Sequence, residues 1–240
     1  MSDFITTLLT APLLVDGAYG SFLFERTGRL SEANHVYEAL NIANPDVIRD
    51  VHLTYLKAGA RCLTTNTFGA NSAYLGLMGE AHRVGEINRA GVKRAREAID
   101  SFKDQTGSEQ DYFIISSIGP SSDDELSHEQ VREIYLEQIE ALITSGVDAL
   151  LLETFSSLAQ VKRLLEMINT LDDAPPVIVQ MTLKQKTDGN WNIDPTTYVE
   201  SIAELGAKVV GANCCTPWDA TAFVEQASVL EVVRNGTVML

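Results

Sequence analysis

Positive charge is scarce in this 240-residue sequence. It has 18 Lys and Arg residues against 33 Asp and Glu residues, which gives a formal net charge of −15 at pH 7. A strongly acidic surface repels phosphate backbones and anionic lipids. We therefore expect neither nucleic acid nor a membrane surface as a partner.

Cysteine is also scarce, and its three copies are Cys62, Cys214 and Cys215. Three is an odd number, and adjacent cysteines rarely pair with each other, so a disulfide framework is not expected. The pattern favours metal or thiol chemistry in a reducing compartment.

Three further signals are lacking. No basic segment opens the chain and no apolar run reaches membrane-spanning length, which predicts a cytoplasmic protein. No glycine-rich phosphate loop follows the first apolar run, which argues against a nucleotide enzyme. The histidines show no metal-ligand spacing; they are His35, His52, His82 and His128.

Short apolar runs alternate with segments of helical periodicity. We interpret the runs as strands over residues 12–15, 61–65, 112–118, 148–152, 176–182, 208–213 and 237–240. Parallel neighbours need crossover connections, so repeated strand–helix units predict an α/β fold with a parallel sheet. A (β/α)8 TIM barrel fits better than a doubly wound sheet. The chain supplies about six and a half units, so we expect a single barrel domain over residues 1–240, truncated before its final strands.

Helix starts are indicated by capping sequences. Asn44-Pro45 and Asp194-Pro195 each place an N-cap residue before a proline in the first turn. Ser127 with Gln130 resembles a capping box. These signals predict helices after residues 44, 127 and 194.

Polar residues follow several strands where each one ends. In TIM barrels the carboxyl ends of the strands carry the chemistry. These ends are occupied by Asp16, Asn66-Thr67, Gly119-Pro120, Glu153, Thr182 and Asn213-Cys214. Two carboxylates, Asp16 and Glu153, can hold an ammonium group, share a proton or bind a hard cation.

Each candidate also has a simpler interpretation. Asp16-Gly17 is a common turn sequence, and Cys214 taken alone is more often a small buried hydrophobe. Glu153 follows three leucines, where a carboxylate is costly without a partner. Cys62 falls inside a strand and is expected in the core.

Six motifs occur in order along the chain. They are Asp16-Gly17-Ala18-Tyr19-Gly20, Ala58-Gly59-Ala60, Thr65-Asn66-Thr67-Phe68-Gly69-Ala70-Asn71, Ile118-Gly119-Pro120, Leu152-Glu153-Thr154 and Gly211-Ala212-Asn213-Cys214. Together they resemble the homocysteine S-methyltransferase family, a zinc-dependent barrel also found as the homocysteine-binding part of cobalamin-dependent methionine synthase. The resemblance covers essentially the whole chain.

The resemblance implies a function and a set of site residues. Homocysteine would receive a methyl group from a small-molecule donor, such as S-methylmethionine or a methylfolate, and become methionine. Cys214 would be the first of three zinc thiolates, and zinc would ionise the homocysteine thiol. Asp16 and Glu153 would bind the amino group. Gly17 and the Asn66-Thr67 turn would help to seat the amino acid.

The sequence departs from the family at the metal. The family's other two zinc cysteines belong to a Gly-Gly-Cys-Cys-Gly signature, which these 240 residues do not contain. Cys215 is not expected to replace them, because neighbours on an extended chain point to opposite sides. We therefore expect a C-terminally incomplete chain with little bound zinc and little activity.

Two alternatives remain open. One is a non-catalytic barrel that binds a thiol amino acid. The other is a metal-free hydrolase or lyase that uses Asp16 and Glu153 as an acid–base pair. An unclosed barrel also exposes sheet edges, so we expect self-association as a homo-oligomer, or low stability.

Overall fold

The computed structural model describes residues 3–27, 37–121 and 125–240, so His35 lies outside the described residues. The helices are α1 (Phe4–Thr10), α2 (Tyr19–Thr27), α3 (Leu40–Ala43), α4 (Pro45–Lys57), α5 (Ser72–Leu77), α6 (Val84–Thr106), α7 (His128–Thr144), α8 (Leu158–Ile168), α9 (Pro195–Glu204), α10 (Pro217–Ala227) and α11 (Glu231–Arg234). The strands are β1 (Cys62–Thr64), β2 (Phe113–Ile118), β3 (Ala149–Phe155), β4 (Val177–Met181) and β5 (Val209–Ala212). Short 3-10 helices cover Tyr37–Ala39 and Ala81–Arg83.

Five of the seven predicted runs form strands. The first and last runs each contribute a single parallel bridge, from Val15 to Cys62 and from Met239 to Val209. The first run is also poorly covered, since Leu14 is 59% exposed and Val15 is 43% exposed. The apolar sequence of this run therefore does not reflect burial.

The chain divides into two compact units. The first consists of Met1–Ser117 with Ile134–Ala149, and the second of Ile118–Glu133 with Leu150–Leu240. The sequence-based expectation of one domain over residues 1–240 stays a prediction.

In the first unit, β1 and β2 are parallel neighbours, with Cys62 opposite Phe113. Every residue of β2 is buried, which explains its unbroken run of apolar and small residues. Cys62 is buried in this sheet, as predicted. Helix α4 packs on α6, and its residues Ile48 and Val51 form a buried cluster with Leu23 of α2. Burial of each such side chain stabilises the fold by about 1.5–3 kcal/mol.

In the second unit, β3, β4 and β5 form a parallel sheet in that order. Leu152 of β3 lies opposite Val179 of β4, which lies opposite Val210 of β5. Helix α9 contacts α8, α10 and α11. Its fully buried Tyr198 ties it to the sheet, because the Tyr198 hydroxyl lies 2.9 Å from the carbonyl oxygens of both Val179 and Gly211.

Two of the three predicted helix starts are capped as expected. Gln130 Oε1 accepts the Ser127 N–H at 2.9 Å, and Ser127 Oγ accepts the Gln130 N–H at 3.3 Å, which completes the capping box. Asp194 accepts the Thr197 N–H at the start of α9. The side chain of Asn44 makes no capping bond, although α4 does begin at Pro45. Among the described helices, none is both long enough and apolar enough to span a membrane.

Candidate functional site

Glu153 lies inside β3 rather than at its end. The sequence-based boundary was wrong here, because the strand continues to Phe155. The pairing with β4 shifts register between Glu153 and Phe155, which marks a bulge at Thr154. Thr154 has a φ of 66°, a left-handed conformation that is unfavourable for a β-branched residue. Such a conformation costs about 1–3 kcal/mol and requires support from its surroundings.

The support comes from Asn213, which follows β5. Its Oδ1 accepts the backbone N–H of Thr154 at 3.0 Å. Its Nδ2 donates to Thr154 Oγ1 at 2.9 Å and to Glu153 Oε2 at 3.1 Å. The expectation that Glu153 needs a polar partner is therefore met by Asn213.

This contact joins two strands that are not neighbours in the sheet. Within the second unit, β3 and β5 each pair with β4. Neighbouring strands lie about 4.8 Å apart, so β3 and β5 would be about 10 Å apart in a flat sheet. The hydrogen bonds from Asn213 show that the ends of β3 and β5 are closer than this at the register shift after Glu153.

Cys214 lies beside the same group of residues. Its side chain is exposed, and its sulfur lies 3.6 Å from Thr154 Oγ1. Its φ of 48° is left-handed, so the extended backbone assumed for Cys214-Cys215 was wrong. Cys215 is half-buried, and burial together with the Asp219 carboxylate raises the pKa of its thiol. The second unit therefore places Glu153 and Cys214 around one asparagine.

In the first unit, Asp16 is held by β1. It accepts hydrogen bonds from Thr64 N at 2.9 Å and Thr64 Oγ1 at 2.8 Å. Tyr19 reaches the same carboxylate, with its hydroxyl 3.5 Å from Asp16 Oδ2. The Asp16-Gly17 segment lies between the bridge at Val15 and helix α2 without turn structure, so its simpler interpretation as a turn was wrong. Its carboxylate is fixed in place by Thr64. A Cβ on Gly17 would lie only 3.0 Å from the Tyr55 hydroxyl.

The hydroxyl of Tyr19 also contacts a buried histidine. It forms a short hydrogen bond with Nδ1 of His52, and the two rings meet edge to face. His52 is fully buried in α4, and this burial lowers its pKa to about 3. The ring is therefore neutral at physiological pH. His52 therefore packs in the core, and the sequence did not predict its link to the Asp16 carboxylate.

Asn66 and Thr67 are part of a buried polar network. The Asn66 side-chain amide donates to Tyr37 O and to Asn41 Oδ1. The Thr67 hydroxyl donates to Ser117 O at 2.8 Å. These side chains support the loop after β1, and their proposed part in seating a substrate stays a prediction.

A buried carboxylate that the sequence did not reveal lies beside this loop. Glu38 accepts the backbone N–H of Gly69 at 2.6 Å, and burial raises the pKa of Glu38. Glu38 precedes the first predicted helix without any periodic or motif signal, so only the folded structure identifies it.

The network leaves no room for a side chain at Gly91. A Cβ at this position of α6 would lie 2.7 Å from Thr67 Cγ2 and 2.9 Å from Asn41 Nδ2. We expect Gly91→Ala to lower the free energy of unfolding by about 1–3 kcal/mol despite the better helix propensity of alanine. Urea unfolding measures this difference.

Gly85 provides the matched control on the same helix. A Cβ there would meet only the far ends of two flexible side chains, Arg89 and Glu137, which can shift. Gly85→Ala should therefore be neutral or stabilise the protein by up to about 1 kcal/mol. Equal destabilisation by both substitutions would contradict the argument.

The described residues do not form the zinc site that the resemblance implies. Cys214 contacts a hydroxyl, and Cys62 is buried, with its pKa raised to about 12 by burial and by Asp16. In residues 3–27, 37–121 and 125–240, no three His, Cys, Asp or Glu side chains are grouped as metal ligands. Cys214 alone does not hold a catalytic zinc, which needs three protein ligands.

Comparison with known proteins identifies the family. The sequence profile described as homocysteine S-methyltransferase matches residues 13–238. The chain belongs to the homocysteine S-methyltransferase family. The six motifs quoted from the sequence all fall inside the matched residues.

Curated relatives agree with this assignment. The chain is 28% identical over 226 residues to a methionine synthase of Mycobacterium leprae (strain TN), and 26% identical over 237 residues to a homocysteine S-methyltransferase of Escherichia coli (strain K12). The alignments cover 90% and 92% of the chain. They cover 18% of the methionine synthase and 75% of the E. coli protein, so the chain spans less than a fifth of the former.

Solved structures show the fold. The metallated form of the homocysteine methyltransferase MmuM from E. coli matches with a TM-score of 0.83 at 22% identity, covering 95% of this chain and 83% of that one. Its oxidized form matches with a TM-score of 0.81 at 23% identity, covering 96% and 84%. The predicted α/β fold of the TIM-barrel class is confirmed.

Proposed function

We propose that this chain provides the homocysteine-binding part of a homocysteine S-methyltransferase. The enzyme would move a methyl group from a small-molecule donor, such as S-methylmethionine or a methylfolate, to the thiol of homocysteine and so form methionine. The profile match over residues 13–238 carries the proposal. The group formed by Glu153, Asn213 and Cys214 supports it, because the resemblance assigns a substrate carboxylate and a metal thiolate to two of these positions.

Glu153 has the chemistry needed for the amino group of homocysteine. An amide donor such as Asn213 orients the carboxylate without bringing a positive charge to it. The resemblance also assigns substrate binding to four residues of the first unit, namely Asp16, Gly17, Asn66 and Thr67.

Binding should depend on the Glu153 charge. We expect calorimetry of the 240-residue chain to detect L-homocysteine binding in the presence of a chelator. Glu153→Gln should weaken this binding by about 10–100-fold, the typical value of a hydrogen bond to a charged group. Glu200→Gln, which changes an exposed carboxylate of the same unit, should leave the affinity unchanged. Equal affinities for all three proteins would refute the role of Glu153.

Zinc ionises the thiol when it is bound in this family, but the described residues lack the set of ligands. We expect the purified 240-residue chain to hold far less than one zinc per molecule and to form little methionine from homocysteine and S-methylmethionine. Elemental analysis and product detection by mass spectrometry measure both quantities. One tightly bound zinc per chain would show that the prediction is wrong.

The incomplete ligand set favours a second candidate for these 240 residues, namely binding of a thiol amino acid without turnover. Homocysteine affinity that is the same with and without a chelator, together with no methionine formation, would support it. Affinity that rises on addition of zinc would favour the methyltransferase.

A further inference from the structure

We propose that Asn213 is a positioning residue that orients Glu153 for the ligand amino group and places Cys214 beside Thr154. This inference rests on the proposed function for the identity of the ligand. It goes further by assigning a role to Asn213, which the family resemblance leaves without one.

All polar groups of the Asn213 carboxamide are used. An asparagine has one acceptor oxygen and an amide nitrogen with two donor hydrogens. Oδ1 accepts a hydrogen bond from the Thr154 backbone N–H, and Nδ2 donates to Glu153 Oε2 and to Thr154 Oγ1. The partners determine which way the amide points, because a backbone N–H requires the oxygen and a carboxylate requires the nitrogen. Aspartate, which has the same shape, could not donate either bond.

The bond to Glu153 fixes one carboxylate oxygen. Glu153 and Thr154 are consecutive residues of β3, and Asn213 contacts both. The orientation of the carboxylate therefore depends on the residue after β5 as well as on its own strand. Its orientation cannot change without breaking its bond to the same amide that supports the strained Thr154.

The same amide affects the contact with Cys214. Because Nδ2 donates to Thr154 Oγ1, the hydroxyl hydrogen of Thr154 is left to point at another acceptor. The Cys214 sulfur lies 3.6 Å away, within the range of a hydrogen bond to sulfur. Left-handed backbone at Cys214 allows the side chains of Asn213 and Cys214, neighbours in sequence, to meet the same threonine.

A pair of ligands separates positioning from a general loss of structure. L-Homocysteine and 4-mercaptobutanoate differ only in the amino group. We expect Asn213→Asp to weaken L-homocysteine binding by about 10–100-fold in calorimetry, because it removes the amide donor that orients Glu153. The affinity for 4-mercaptobutanoate should stay within about 2-fold. If Asn213→Asp weakened the binding of both ligands equally, or of neither, the inference would be overturned.

The matched control is Asn235→Asp. Asn235 is an exposed asparagine of the same unit whose Oδ1 accepts from Thr237, a bond that aspartate also accepts. This variant carries the same change in charge and should bind both ligands like the unchanged chain.

Nuclear magnetic resonance of the ligand-free chain tests the inference without any ligand. The side-chain amide protons of Asn213 should exchange with water at least about 10-fold more slowly than those of Asn235. Asn213→Ala should shift the carboxyl carbon resonance of Glu153, and Asn235→Ala should not. Fast exchange at Asn213 or an unmoved Glu153 resonance would overturn the inference. If the unchanged chain binds neither thiol ligand, the proposed function fails and these spectra alone decide the role of Asn213.

Discussion

Acidification from pH 6.5 to about 3 is expected to lower the free energy of unfolding by about 4 kcal/mol through His52 alone, with a slope of about 1.4 kcal/mol per pH unit in the middle of this interval. Burial lowers the pKa of His52 from 6.5 to about 3 in the folded chain. Between these values the unfolded chain binds a proton that the folded chain excludes. Stability therefore rises with pH in this interval and falls as acid is added.

His52→Gln removes the titration and keeps a neutral polar group near Tyr19. We expect the pH dependence of urea unfolding between pH 3 and 6.5 to become flatter by the His52 contribution. Glu38 acts in the opposite direction, because burial raises its pKa and its protonation favours the folded state. Its contribution is present in both proteins and cancels in the comparison.

His82→Gln is the control, since His82 is exposed and lies in the same unit. It should leave the slope of stability against pH unchanged. If His52→Gln and the unchanged chain show the same slope, the buried ring is not the source of the acid sensitivity.

Tyr198→Ala is expected to lower the free energy of unfolding by about 3–5 kcal/mol, the usual cost of removing a large buried aromatic ring. The Tyr198 ring is fully buried, with its centroid 5.8 Å from that of Phe223. Its hydroxyl reaches carbonyl oxygens of β4 and β5 at the same time. The substitution therefore removes both packing and the link from α9 to the two strands.

Tyr198→Phe isolates the hydroxyl. It keeps the ring against Phe223 and leaves the carbonyls of Val179 and Gly211 without this donor, so we expect a loss of about 1–3 kcal/mol. Tyr74→Phe alters an exposed tyrosine and should change stability by less than about 0.5 kcal/mol. Urea unfolding at pH 7 measures all three variants. A Tyr198→Phe protein as stable as the unchanged chain would show that the shared hydroxyl contributes nothing.

The architecture was predictable because buried parallel strands have a strong sequence signal. The run from Phe113 to Ile118 is buried on both faces, so almost every position is apolar or small. The capping box at Ser127 and Gln130 is equally local, since both partners lie within one helical turn. The sequence predicted a strand wrongly where few backbone bonds form. The apolar run ending at Val15 makes a single parallel bridge and stays partly exposed.

The geometry of the site was less predictable because it depends on contacts distant in sequence. Asn213 bonds to residues 59 and 60 positions earlier in the chain. The left-handed conformations of Thr154 and Cys214 have no signature, because neither residue type favours them. The motifs identified Glu153 and Cys214 as candidates, but only the folded chain shows the asparagine between them. The link from His52 through Tyr19 to Asp16 escaped prediction for the same reason.

The loop after β4 has its own connection to the end of β5. Asp219, in the first turn of α10, accepts the backbone N–H of Gln185 at 2.9 Å and the hydroxyl of Thr216 at 2.7 Å. Thr216 comes two residues after Cys214, so one carboxylate holds both the loop and the segment that carries the thiol. The position of the thiol-bearing segment is therefore tied to that of the loop after β4.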